Sequence, residues 1–220
     1  MLHYFFEYNS SGGCLKIPGT ILLIAIIVVA LLALSLMNGK KRKQAFSTKQ
    51  LAFSAICMAL AFALSYVKLF NAPMGGSITL MSTFFITLVG YLYGTYVGVI
   101  TGVAYGLLQL IAGPYLVHPI QILVDYLLAF GALGLSGLFS HSRYGLIKGY
   151  LAGISGRLFF SVLSGIVFFA EYAGEQNVFL YSFTYNLSYI GFEAVITISI
   201  LLLPAVKVGI VELKRIALEA

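Results

Sequence analysis

The feature that most constrains this chain is a series of apolar runs too long and too continuous for a soluble core. They fall at about 19–38, 51–69, 77–92, 95–112, 119–140, 146–171 and 179–204. A helix crosses a bilayer with roughly 20 mostly apolar residues, and only the third run is clearly short of that. With 60% hydrophobic residues, 9% charged and a mean hydropathy of +1.00, too little polar material remains for a water-soluble surface. Hydrocarbon satisfies no backbone group, so a spanning chain must be helical or a closed barrel. The runs do not alternate in hydropathy, which selects helices. The expected fold is an all-α membrane protein: a six-helix transmembrane bundle with one extra N-terminal transmembrane helix.

Turn-forming residues separate the runs at Asn71-Ala72-Pro73-Met74-Gly75-Gly76, at Gly113-Pro114 and at Gly174-Glu175-Gln176-Asn177. The cut at Tyr93-Gly94 has the least punctuation. Basic residues then set the orientation, because cytoplasmic flanks of membrane helices are enriched in Lys and Arg. Lys40, Lys41, Arg42, Lys43 and Lys49 follow the first run, Arg143 and Lys148 the fifth, and Lys207, Lys214 and Arg215 the seventh. All three groups share one side if every run spans, and Glu171 and Glu175 fall on the other. The expectation is a multi-pass protein of the bacterial cell membrane, with its N-terminus outside and its C-terminus cytoplasmic. The net charge of +6 is explained by these flanks, and no nucleic-acid partner is expected. The first run precedes its basic cluster, the stop-transfer order, so it reads as a retained anchor. Residues 1–49 thus form an N-terminal extension with one helix and a basic cytoplasmic linker, and 50–220 a six-helix substrate-binding domain.

Two small-residue stripes stand out. Gly90, Gly94, Gly98, Gly102 and Gly106 recur every fourth position, the spacing of one helix face. Close helix packing explains them best, although a cut at Gly94 divides them between two helices. Ala55, Ala59 and Ala63 form a second stripe, suited to packing inside the bundle or to a smooth face for another membrane protein.

Ionisable groups inside a bilayer are costly, so Asp125, Arg157 and Glu193 are each candidates for function. Counted at 1.5 Å per residue from the outer helix ends, Arg157 and Glu193 lie roughly 21 Å deep and Asp125 about 9 Å deep. Equal depth pairs Arg157 with Glu193 as a structural ion pair, with a proton-coupled role as its alternative. Asp125 is left near Asn186 and Ser164, with Ser161 a turn deeper. A carboxylate, an amide and hydroxyls at one level describe a polar pocket opening outward. Tyr126, Phe160, Phe168, Phe169, Tyr172, Tyr181, Tyr185 and Tyr189 surround it in sequence. Such aromatics beside a carboxylate suit a flat organic cation, and an ordinary interfacial tyrosine belt would also account for several of them.

No phosphate-binding loop, zinc motif or nucleophile elbow occurs, so no catalytic residue, metal or cofactor is expected. His3, His118 and His141 are scattered, and Cys14 and Cys57 have no metal or redox spacing. Binding or transport remains, either as a subunit that depends on partners or as a self-sufficient secondary transporter or facilitator. An ATPase, if one drives uptake, must be another polypeptide.

Several stretches together resemble one known family. They are Met58-Ala59-Leu60-Ala61-Phe62, Gly106-Leu107-Leu108-Gln109, Gln121 through Asp125-Tyr126 to Gly134-Leu135-Ser136-Gly137-Leu138-Phe139, Phe159-Phe160 with Ser164-Gly165-Ile166-Val167-Phe168-Phe169, Tyr172-Ala173, Tyr181-Ser182 and Tyr185-Asn186. Over about 50–205 the chain resembles the thiamine-specific substrate-binding component of energy-coupling factor vitamin transporters, of the ThiT or YuaJ type. The resemblance implies a six-helix protein that captures thiamine outside the cell. It also implies delivery inward with a shared transmembrane coupling subunit and two ATPase subunits. It places Asp125, Tyr126, Tyr181 and Asn186 at the ligand, and Ala55 and Ala59 on the surface that docks on the coupling subunit; Ser161, Ser164, Gly165 and Phe169 are the further candidates for the ligand site, and Ala63 for the docking stripe. The chain departs from the family with Ser161 where His is frequent, Phe169 where Trp is frequent, and no Trp at all.

Overall fold

A computed structural model describes residues 6–9, 12–15, 46–112 and 116–218. The first apolar run and most of the basic linker lie outside the described residues. Ahead of them, β1 (Phe6–Asn9) and β2 (Gly12–Leu15) pair antiparallel as a hairpin. The bundle consists of α1 (Thr48–Ser65), α2 (Ser82–Tyr93), α3 (Thr95–Ile111), α4 (Ile122–Phe139), α5 (Gly145–Phe168) and α6 (Val178–Leu201), followed by α7 (Pro204–Leu218). By length and apolarity α1, α4 and α5 can each cross a membrane, as can α6 and α7 taken as one broken span, while α2 and α3 are shorter apolar helices. The chain is therefore the expected helical membrane bundle.

Local chemistry sets several helix ends. Ser47 accepts a hydrogen bond from the Gln50 amide at 3.1 Å, and the Gln50 side chain accepts one from the Ser47 amide at 3.2 Å. This reciprocal cap satisfies donors that would otherwise be orphaned at the start of α1. Between α2 and α3, Gly94 adopts φ +90, a conformation open to glycine and strained for other residues. The glycine stripe is thus divided between two helices at the position where the sequence leaves the cut least marked. Pro204 lacks an amide and cannot continue α6, and the chain turns by 85° into α7.

The third apolar run resolves differently from its expectation as a single span over 77–92. Ser77–Thr79 is strand β4, paired with β3 (Lys68–Asn71), and the helix starts only at Ser82. The hairpin they form, with a turn at Pro73–Gly75, is a strap between α1 and α2. Met74, Gly75 and Met81 within or beside it have positive φ. For Met74 and Met81 this costs about 1–2 kcal/mol each, so other contacts must hold the strap in place. The second unforeseen element is α7, expected only as a cytoplasmic flank. It packs on the hydrophobic core through Val206, Ile210 and Leu213, and at the end of α2 Tyr93 donates to the Ala217 carbonyl at 3.3 Å.

The glycine stripe does what close packing requires. A side chain at Gly106 would overlap the Tyr126 carbonyl, one at Gly102 the Phe130 carbonyl, and one at Gly98 would sit 2.9 Å from the Gly134 Cα. Three glycines of α3 therefore seat three successive turns of α4 in backbone contact. Gly102→Ala should lower stability by about 1–3 kcal/mol, because neither backbone can yield to the added methyl. Thermal unfolding in detergent would show this as a lower Tm. Gly209→Ala, where a side chain meets nothing within 4 Å, should leave Tm unchanged or raise it.

Candidate functional site

Asp125 and Tyr126 sit where α4 departs from ordinary α geometry. Ile122–Leu128 forms a wider π turn, and the Ala129 amide bonds the Val124 carbonyl five residues back. Such turns re-aim side chains and occur often at functional sites. The remainder of α4, Ala132–Phe139, tightens into a 3-10 helix where Gly134 and Gly137 abut the start of α3.

A cavity of about 270 Å³ opens beside Asp125, close to the roughly 300 Å³ lower end for small-molecule sites. Its wall includes Asp125, Tyr126, Ser161, Gly165, Phe169, Tyr181 and Asn186, drawn from α4, α5, α6 and the turn after α5. Ser164 stands apart from them. It donates to Asp125 Oδ2 at 2.7 Å from behind the wall, and Gln121 Nε2 donates to the same oxygen at 3.1 Å. Among the described residues Oδ1 receives no hydrogen bond, so half of the carboxylate keeps its accepting capacity.

Asn186 is committed to the frame of this wall. Its Nδ2 donates to the Ser182 carbonyl at 2.9 Å and the Ser161 carbonyl at 3.3 Å, and its Oδ1 accepts from Tyr189 at 2.7 Å. It thereby ties α5 to α6 at the level of the cavity. A side chain at Gly165 would overlap Ser182 Oγ, so this glycine lets the two helices meet there. Tyr181, Tyr185 and Tyr189 follow one face of α6. The first two rings are stacked at 6.3 Å, and the second and third meet edge-on at 5.6 Å. Of the aromatics singled out in the sequence, Phe160, Phe168 and Tyr172 lie outside the cavity wall. Phe168 instead stacks on His118 at 5.4 Å.

The expected Arg157–Glu193 ion pair is not formed. Among the described residues the salt bridge within 4 Å joins Arg215 to Glu212, at 2.5 Å. Arg157 lines the cavity and lies over the Phe130 ring, 4.7 Å from its centre. Glu193 accepts from Thr79 Oγ1 at 2.9 Å and Thr83 Oγ1 at 2.8 Å, at the base of the strap. Counting depth along straight helices gives the level of a residue and says nothing of the direction it faces. The donors that satisfy Glu193 lie in a segment whose hairpin form the apolar run conceals.

The strap supplies the cavity residues that sequence reasoning missed. Met74, Gly75, Gly76, Ser77 and Thr79 complete the wall, with Ser82 from α2. Their signal was the turn-forming run Asn71–Gly76, read only as punctuation. From α3 come Tyr105 and Gln109, hydrogen-bonded to each other at 2.5 Å. A polar pair four residues apart in an apolar helix was the signal for them. Lys68 also reaches the cavity wall.

The sequence profile of the family described as Thiamine transporter protein (Thia_YuaJ) matches residues 51–211. The chain belongs to this family. Its members are transporters, not enzymes. The chain is 34% identical over 155 residues to the thiamine transporter ThiT of Bacillus subtilis (strain 168), covering 61% of this chain and 79% of the relative. A solved structure of ThiT from Listeria monocytogenes superposes with a TM-score of 0.58 at 26% identity, over 69% of this chain and 92% of the other. The family match ends before α7 does and excludes residues 1–50, so the N-terminal extension lies outside the shared region.

Replacing Asn186 with Leu should remove its bond to the Ser161 carbonyl, take the Oδ1 acceptor from the buried Tyr189 hydroxyl, and cost about 1–3 kcal/mol. The expected readout is a lower Tm of the purified protein without ligand. An unchanged Tm would mean that Asn186 does not brace α5 against α6.

Proposed function

We propose that the cavity captures thiamine, or a closely related cationic heteroaromatic compound, from outside the cell. The observation that carries this reading is Asp125, whose two protein donors both bind Oδ2 while aromatic rings stand around the same cavity. Thiamine joins two flat rings through a methylene, carries a fixed positive charge and bears an amino group that can donate to a carboxylate. Stacking on Tyr126, Phe169 and Tyr181 would hold its rings, and a cation over an aromatic face gains about 2 kcal/mol when desolvated. Arg157, at the Phe130 side of the cavity, suits an oxygen substituent of the guest, which keeps the cationic ring near Asp125. Phe169 offers a smaller stacking face than an indole, and Ser161 a hydroxyl where an imidazole is frequent. The family relationship supports the same substrate.

Transport would be ATP-driven, with the chain delivering its ligand through a shared transmembrane coupling subunit and two ATPase subunits. Ala55, Ala59 and Ala63 support this as a docking surface, because they are exposed on α1 while Ser54, Cys57 and Ala61 face inward. Only 17% of α1 is buried, against 39% for α4 and for α5, so of these three spanning helices it has the most surface to offer a partner. The basic flanks orient the C-terminus and α7 toward the cytoplasm. A self-sufficient secondary transporter built on a titrating Arg157–Glu193 pair loses its motivation, since these two side chains have different partners.

Isothermal titration with thiamine should give saturable binding, and Asp125→Ala should weaken it by about 100-fold, the loss of a desolvated counter-ion. Equal affinity in the variant, or no binding by the intact protein, would overturn the assignment. Ala59→Phe should leave thiamine binding within about twofold while reducing uptake in cells by about tenfold, since a bulky ring blocks close helix approach. Unimpaired uptake would exclude this stripe as the docking surface.

A further inference from the structure

Glu193 is a carboxylate at 3% exposure in the middle of α6, and the ligand reading makes no use of it. Its hydrogen-bond partners all come from one short segment. Oε2 accepts from the Thr79 hydroxyl at 2.9 Å and the Thr79 amide at 3.4 Å. Oε1 accepts from the Thr83 hydroxyl at 2.8 Å and the Thr83 amide at 3.3 Å, with Ser82 Oγ 3.4 Å away. Thr79 and Ser82 close the cluster through a hydroxyl contact of 2.6 Å. Between them stands Met81 at φ 58, the left-handed corner where the strap turns into α2. The acid therefore grips both sides of the one strained residue at the base of the strap. Charge-assisted bonds to backbone and hydroxyl donors are among the strongest available to a buried carboxylate.

The outer end of the strap is held by the same face of α6 but by weaker groups. Tyr185 donates to the Pro73 carbonyl and accepts from the Gly76 amide at 3.2 Å, and the Tyr181 hydroxyl approaches Met74 Sδ at 3.9 Å. Tyr181, Tyr185, Tyr189 and Glu193 recur every fourth residue, so one stripe of α6 carries two unequal anchors. Neutral phenols hold the tip, and a buried anion holds the base.

We propose that Glu193 is a positioning residue, the fixed post of a strap whose movement is confined to residues 71–78. Holding Thr79 and Ser82 in the cavity wall, it sets how slowly a captured guest escapes. This second part rests on the thiamine reading; the post itself does not.

Hydrogen exchange on the full chain without ligand separates the two. Glu193→Ala should raise exchange across 77–84 by about tenfold, while Tyr185→Phe raises it only across 72–77. Glu193→Gln should fall between, because a carboxamide can accept from only one side of the corner. If Glu193→Ala does not fold, Thr83→Val, which removes one hydroxyl donor, should show the same localised increase at smaller size. No change in 77–84, or an equal increase in every segment, would overturn the post. Release of labelled thiamine from Glu193→Ala should be about tenfold faster with association nearly unchanged, and partly restored in Glu193→Gln. Unchanged release beside increased exchange would refute the control of escape. Failure of the unaltered protein to bind thiamine would refute the ligand instead, leaving the exchange result to stand on its own.

Discussion

The contact on which the molecule depends is the backbone seat between α3 and α4. In lipid there is no hydrophobic drive to press helices together, so association rests on packing and hydrogen bonds. Gly98, Gly102 and Gly106 remove three side chains from one face and let α4 lie directly against α3 at Gly134, Phe130 and Tyr126. Fixing Tyr126 in this way fixes its neighbour Asp125. The π turn around them widens the helix at the same point, which a straight α-helix with larger neighbours would not permit.

Three ionisable groups inside the bundle are accommodated in three ways. Asp125 is half satisfied, with two donors on one oxygen and the other oxygen available. Arg157 rests its guanidinium on Phe130 at the cavity wall. Glu193 is fully engaged by hydroxyl and amide donors. Burying a charge is costly unless it is paired or hydrogen-bonded, and the accepting capacity left at Asp125 is the feature on which the proposed binding role rests. Glu193 shows the opposite case, where complete satisfaction converts a buried charge into a mechanical tie.

Much of the site was readable from residue type. An intramembrane aspartate, an asparagine and repeated tyrosines mark polar groups that lipid alone would not tolerate. The direction each one faces was not readable. Ser164 supports Asp125 from behind, Asn186 spends its amide on the Ser161 and Ser182 carbonyls, and Phe160 and Tyr172 lie outside the cavity. Residues contributed by the strap were hidden for another reason. Ile78, Leu80 and Met81 extend an apolar run into what is a strand and a left-handed corner, so hydropathy merges the strap with α2.

By itself, the sequence determined the solvent, the helical class and the existence of a close-packed glycine face. Each of these follows from the cost of exposing polar backbone to hydrocarbon or from the geometry of one residue type. Only the tertiary structure decided that Arg157 and Glu193 turn to different partners, that α7 packs on the hydrophobic core, and that a hairpin closes the cavity wall. These outcomes depend on which way helices are rotated about their axes and on contacts between residues more than a hundred positions apart, such as Thr79 and Glu193. Apolar patterning fixes how deep a side chain lies in the membrane; packing alone fixes what it meets there.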